Sequence, residues 1–278
     1  MGAGFHGPST GSGNAHPNTA PRRVKHGLDR DSTARQFAEH GYDLIIAAED
    51  DAINTAATRL QDGAAVEPVK VDLATPEGVE QLYQHIHRHG NQVEAVALNA
   101  GIGMGGDFAT QTDLNQELKL VDLNVRSTVH LAKRVVSDMV QRGEGEILFT
   151  SSIASTMPGS FQAVYNASKS FVQSFALALR NELKDTGVTI TTLMPGPTDT
   201  EFFERADMMD TKVGASDSKD DPADVARDGF EALMAGKERV VSHSLSTKAQ
   251  GHGSRLMPDK AKAEMHRKMA EPGSAEED

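Results

Sequence analysis

The chain has 278 residues, enough for one medium domain with a sizeable buried core. A net charge of −12 and a pI near 5.4 argue against nucleic acid or an anionic membrane as the main partner. The absence of cysteine excludes disulfides, thiolate metal sites and cysteine nucleophiles, and suits a cytoplasmic protein. No apolar run approaches the ~18 residues that span a bilayer, and the first residues lack the charged-then-apolar order of a secretion signal. His85, His87 and His89 alternate at two residues, a spacing that does not share one helical face, so no metal site is expected.

Residues 1–30 are rich in Gly, Pro, Ser, Asn and His and read as an irregular or disordered segment. From Asp31 the pattern changes. A helix capped by Asp31 or Ser32 runs to about His40 and stops at Gly41, and Leu44-Ile45-Ile46-Ala47 is a short apolar strand. A helix over 51–60, a strand over 66–71, a helix opened by Pro76 and a strand over 93–98 follow. Leu114, Leu118, Val121, Val125, Leu131, Val135 and Met139 recur every three to four residues and mark a long helix. Next come a strand over 147–150, a long helix over 163–184 with Phe171, Phe175 and Leu179 on its apolar side, and a strand over 188–194. A helix over 222–235, a short strand over 239–241, a peripheral helix near 258–269 and a polar tail complete the chain.

Strands that alternate with helices and are apolar throughout indicate a parallel sheet covered on both faces. The expected class is therefore α/β, doubly wound and Rossmann-like, in a single domain over 31–245. The segments 1–30 and 246–278 are expected to lie outside it. Ligands bind such sheets at the carboxyl ends of the strands.

Tyr165 and Lys169 are four residues apart and share a helix face. A lysine ammonium near a phenol favours the phenolate and lowers the tyrosine pKa. Ser152, 13 positions before Tyr165, sits past the apolar run Ile147-Leu148-Phe149, where its hydroxyl can reach the same substrate oxygen; Ser151 and Ser155 are its neighbours in contention. Asn124, 41 positions before Tyr165, is a polar residue on an apolar helix face and must find partners. Leu98-Asn99-Ala100-Gly101 follows one strand, and Pro195-Gly196-Pro197-Thr198-Asp199-Thr200 follows another.

In this order and near these spacings, the set resembles the short-chain dehydrogenase/reductase family, over roughly 32–241. The resemblance implies hydride transfer between a nicotinamide cofactor and a carbonyl/alcohol carbon. Tyr165 would exchange the proton, Lys169 would lower its pKa and hold the nicotinamide ribose, and Ser152 would bind the substrate oxygen. Asn124 would disturb its helix and support a proton relay through a water behind the lysine. Asn99-Ala100-Gly101 would lie under the nucleotide, and Asp72-Leu73 would contact the adenine, although an acid at a strand end is also a common capping device. Pro195-Gly196, the backbone of Thr198 and the hydroxyl of Thr200 would hold the carboxamide. Phe202, Phe203, Met208 and Met209 resemble a mobile lid over a small-molecule substrate, the alternative being methionines on an exposed helix. A homodimer or homotetramer built on the two long helices is implied.

The family's first strand and its Thr-Gly-x-x-x-Gly-x-Gly loop belong at about residues 15–30, where only Gly27 survives, so the first strand reads as missing or irregular. Codons for Val24–Leu28 read one base later can encode Ser-Ser-Thr-Gly, and those for Arg22-Arg23 Gly-Ala, so a shifted frame is one expectation for this stretch. The alternative function is a non-catalytic Rossmann-like protein that lost cofactor binding with the loop. Glu49, Asp50 and Asp51 after the strand ending at Ala47-Ala48, with no Lys or Arg before Arg59, favour NAD(H) over NADP(H).

Overall fold

The computed structural model describes residues 23–25, 30–61, 64–88, 92–242 and 257–276. Seven parallel strands form one sheet: β1 (Arg23–Lys25), β2 (Leu44–Ala48), β3 (Val66–Lys70), β4 (Ala95–Leu98), β5 (Gly145–Thr150), β6 (Val188–Met194) and β7 (Arg239–Val241). Their order is β3-β2-β1-β4-β5-β6-β7, so the chain starts in the middle, winds to one edge and returns to build the other. Right-handed crossovers favour this two-way winding, which leaves a crevice at the strand ends where the direction reverses.

One expectation is corrected here. The centre of the sheet is not missing: Val24 pairs with Ile45 on one side and with Val96 on the other, within the segment expected to be irregular. Only one of the three residues is aliphatic, so the sequence carries no strand signal. Backbone groups of β2 and β4 nevertheless need partners, and any non-proline backbone supplies them.

Helices cover both faces. α1 (Arg30–Glu39), α2 (Ala52–Leu60) and α9 (Pro222–Met234) close one, where Phe37 meets Phe230 edge to face at 5.0 Å. Gly41 ends the first of these with φ +81°, a conformation that suits glycine. α3 (Pro76–His87), α5 (Ser127–Arg142) and α6 (Ala163–Glu182) close the other over Ile45, Val96, Ile147 and Phe149.

The long helix predicted through 114–139 is interrupted. α4 (Leu114–Val121) passes into a π-helical turn, Asp122–Arg126, before α5 begins. Two short helices, α7 (Phe202–Arg205) and α8 (Lys212–Ala215), lie after β6, and α10 (Asp259–Ala270) packs against α8.

His85 is bonded to Glu67 and His87 to Asp138; His89 lies outside the described residues. Phe175 and Leu179 pack on the core, whereas Phe171 is exposed on α6, as are Leu114 and Leu118 on α4. Among the described residues, no helix is long and apolar enough to cross a membrane.

Candidate active site

A cavity of about 810 Å³ opens at the carboxyl ends of β4, β5 and β6. Its lining includes Asn99, Gly101, Ser152, Tyr165, Lys169, Pro195, Gly196, Thr198 and Thr200. Most of the residues singled out from the sequence therefore meet in one place.

Tyr165 and Lys169 lie one turn apart near the start of α6, and both are buried. The lysine Nζ is 5.9 Å from the tyrosine ring centroid and donates to the Thr150 carbonyl at 3.1 Å. Burial pushes the Tyr165 phenol up to about 12, and a hydrogen bond with Ser152 opposes this. Burial likewise pushes Lys169 down to about 8. The expectation that the ammonium lowers the tyrosine pKa is thus corrected for the protein without ligands: desolvation outweighs every partner of the phenol. Near neutral pH the phenol is a proton donor rather than a phenolate.

Lys169 gives this burial a measurable signature. Its ordinary value near 10.5 applies unfolded, and about 8 applies folded. Below pH 8 the folded state carries the full cost of a desolvated ammonium. Between pH 8 and 10.5 the folded chain binds fewer protons than the unfolded one, so stability rises with pH. Denaturant unfolding should show wild type gaining ~3 kcal/mol relative to Lys169→Met across that window. A flat difference between the two proteins would contradict a buried, depressed lysine.

Three serines at the end of β5 separate cleanly. The Ser151 hydroxyl donates to the Lys169 carbonyl at 2.8 Å, and that of Ser155 bonds Gln173 and the Ser152 carbonyl. Ser152 caps the short 3-10 turn Ile153–Thr156 by accepting from Ala154 N–H at 3.1 Å, and its hydroxyl meets the phenol.

Asn124 sits in the π turn, almost fully buried. Its Oδ1 accepts from Ile102 N–H at 2.9 Å, and its Nδ2 donates to Ile102 O at 2.9 Å and to Ser168 Oγ at 3.0 Å. The Ser168 hydroxyl in turn donates a hydrogen bond to the Tyr165 carbonyl at 2.7 Å. The extra residue of a π turn turns a polar side chain inward, and the amide clamps the loop after β4 onto α6. Both amide hydrogens and one Oδ1 lone pair are taken by protein groups.

Asp72 and Leu73 do not join the cavity. The Asp72 carboxylate turns back to Ala74 N–H at 2.9 Å, its carbonyl accepts from Thr75, and Leu73 is buried in the core. β3 ends at Lys70, Val71 N–H still donates to the Ala48 carbonyl at 2.8 Å, and Asp72 and Leu73 follow in the turn ahead of the Thr75 cap of α3. Ala100 faces the core. The glycine-loop positions, Gly27 included, lie outside the described residues.

The lid residues divide. Phe202 lies over Tyr165 with ring centroids 5.2 Å apart, Phe203 and Met208 are buried with Ala270, and Met209 is exposed. Sequence reasoning missed Gln162, Ile102-Gly103-Met104, His266 and Met269 in the cavity wall. The glycines after Asn99 were the available signal for the loop; His266 carried none.

A family model for short chain dehydrogenase matches residues 27–210. Sulfoacetaldehyde reductase 2 of Chromohalobacter salexigens is 29% identical over 173 residues, 62% of this chain and 69% of that protein. NADP-dependent 3-hydroxy acid dehydrogenase YdfG of Salmonella typhi is 26% identical over 163 residues, 59% of this chain and 65% of that one. A short-chain dehydrogenase from Sphingobium yanoikuyae in complex with NADPH superposes with a TM-score of 0.73 at 24% identity, covering 84% of this chain and 93% of the other, a likeness of fold. With two thirds of its length matched by the family model, and the same doubly wound sheet beneath the match, this chain belongs to the short-chain dehydrogenase family.

Proposed function

We propose that the protein interconverts a carbonyl compound and its alcohol with NAD(H) or NADP(H). The observation that carries this reading is the meeting of a buried phenol, a serine hydroxyl and a lysine in one cavity at the strand ends.

The described residues fit a nicotinamide cofactor. A Cβ on Gly101 would come within 3.0 Å of Lys169 Nζ and 3.2 Å of Asn124 Oδ1, so bare backbone lies beside the lysine. Thr150 Oγ1 is buried there with no hydrogen-bond partner. Lys169 would hold the ribose, Asn99 and Gly101 would lie under the nucleotide, and the Thr198 backbone with the Thr200 hydroxyl would take the carboxamide. Bound there, the nicotinamide supplies or takes the hydride.

Ser152 positions the substrate oxygen beside Tyr165, and the protonated phenol gives that oxygen its proton during reduction. In the reverse direction the phenol must first lose its proton, so alcohol oxidation gains rate as pH rises. Lys169 carries the positive charge that stabilises the phenolate once a ligand redirects its ammonium from the Thr150 carbonyl. Asn124 fixes the loop and helix between which this exchange occurs, and the proton relay runs behind Lys169. Phe202 covers the phenol and excludes water. NADH or NADPH oxidation with a panel of ketones and aldehydes tests the reading; no turnover with any of them overturns it.

For cofactor choice, Glu49 favours NAD(H), because a carboxylate suits ribose hydroxyls and repels a 2′-phosphate. Lys119 reaches Glu49 at 3.2 Å and Arg59 lines the same end of the cavity. Against this, two of the three proteins compared above name NADP or NADPH, and none of the three names NAD. The expected result is a higher kcat/KM with NADH, and a higher value with NADPH would reverse the assignment. A homodimer or homotetramer through the two long helices is proposed on the exposed Leu114, Leu118 and Phe171; light scattering that reports a monomer would dismiss it.

A further inference from the structure

The cavity wall beyond Tyr165 is largely apolar, with Ile153, Met157, Phe202 and Met269 among its residues. One corner differs. The turn before α6 carries Ser160, Phe161 and Gln162, and α10 seats against it. His266 Nδ1 bonds the Ser160 carbonyl at 2.9 Å, and Arg267 lies 5.0 Å from the Phe161 ring centroid. Gly106 N–H donates to the Phe161 carbonyl at 3.0 Å, and Phe161 holds φ at +63°. A non-glycine residue keeps such a backbone only where its surroundings fix it, so the turn is rigid.

A carbonyl only accepts, so the proton of the neutral His266 ring is on Nδ1 and Nε2 keeps a lone pair. Burial holds His266 below the usual histidine range, against the Ser160 bond, and keeps that neutral form. Gln162 is 7% exposed, and its Nε2 is buried with no acceptor. Gln162 and His266 both line the cavity, and Gln162 is the N-cap residue of α6, three residues before Tyr165. The protein thus holds a donor and an acceptor in an apolar wall.

We propose that this corner is a second recognition point for the substrate, where Gln162 Nε2 donates to, and His266 Nε2 accepts from, a hydroxyl group on an otherwise apolar ketone or aldehyde. The proposal rests on the carbonyl chemistry assigned to Tyr165. A hydroxyl donates and accepts through one atom, as the pair requires. A carboxylate has no proton for His266, and an ammonium has no lone pair for Gln162.

Calorimetry on the full chain without cofactor tests it, with 3′- and 4′-hydroxyacetophenone set against their methyl counterparts of matching shape. A hydroxyl ketone should bind roughly tenfold tighter than its methyl partner, the value of about one net hydrogen bond. Gln162→Met keeps the volume and removes the donor, and should erase most of that preference while leaving methyl-ketone affinity within about twofold. His266→Phe should do the same; if loss of the Ser160 bond unfolds it, Gln162→Met decides alone. Equal or weaker binding of the hydroxyl ketones, no binding of any, or a preference that survives Gln162→Met would overturn the proposal. Since binding is read without turnover, a chain that shows the preference yet never oxidises NADH or NADPH would refute the oxidoreductase reading and leave this corner standing.

Discussion

Replacing Tyr165 with Phe should remove turnover while leaving the fold intact. The substitution deletes one hydroxyl, and the ring continues to pack under Phe202. Ser152 loses its phenol partner but keeps its cap to Ala154, so little stability is at stake. What goes is the proton donor, and general acid-base catalysis is worth ~10²–10⁴-fold. Burial that pushes the phenol up to about 12 keeps it protonated near neutral pH, and the Ser152 hydroxyl and Lys169 ammonium that remain beside the substituted ring do not reproduce the position of the lost proton. Steady-state rates with matched circular dichroism spectra are the measurement. A variant that keeps more than a tenth of the wild-type rate would show that the proton comes from elsewhere.

Restoring a glycine loop should raise cofactor affinity by roughly 10²- to 10⁴-fold. Rossmann loops present backbone N–H groups and a helix N-terminus to the pyrophosphate, and charge-assisted hydrogen bonds contribute ~1.5–3 kcal/mol each. Two such bonds amount to that range at 1.4 kcal/mol per decade. Between Arg22 and Arg30 this chain has a single glycine, Gly27, where the family's loop has three. A version with an apolar strand and Gly-Ala-Ser-Ser-x-Gly-Ile-Gly ahead of Ser32 should bind the cofactor at micromolar levels, and the present chain far more weakly. The central strand itself is in place, since Arg23–Lys25 pairs with both neighbours. Calorimetry on the two proteins compares them. Equal, tight affinity would mean that residues 1–30 already provide the phosphate site.

The proposed reacting group was legible because it is local. Tyr165 and Lys169 need only helical spacing, and Asn124 announced itself as a polar residue in an apolar stripe. Ser152 was chosen over Ser151 and Ser155 by distance along the chain, and the hydrogen bonds divide the three in the same way. Asp72 and Leu73 follow a strand that ends at Lys70, one residue short of the expected Val71, and they do not line the cavity formed at β4, β5 and β6. β1 was invisible because its pairing uses backbone alone. His266 was beyond reach for a different reason: it bonds Ser160 across 106 positions, and no local pattern encodes so distant a contact.

The glycines at 103 and 105 matter for the atoms they lack. A Cβ at Gly103 would lie 2.3 Å from Phe202 Cζ, and one at Gly105 would lie 2.4 Å from Met208 Cγ. Each aromatic or thioether tip is a key cut to fit a missing methyl. A single carbon at position 103 would therefore act as a wedge, lifting Phe202 from the Tyr165 ring and letting water reach the phenol. The acidity of the proton donor is thereby governed from a loop that never touches the proton: with the wedge in place, Tyr165 would titrate closer to 10 than to 12. With three tyrosines and no tryptophan in the chain, ultraviolet titration can follow that change, and an unmoved Tyr165 would show that Phe202 is not what keeps the phenol dry.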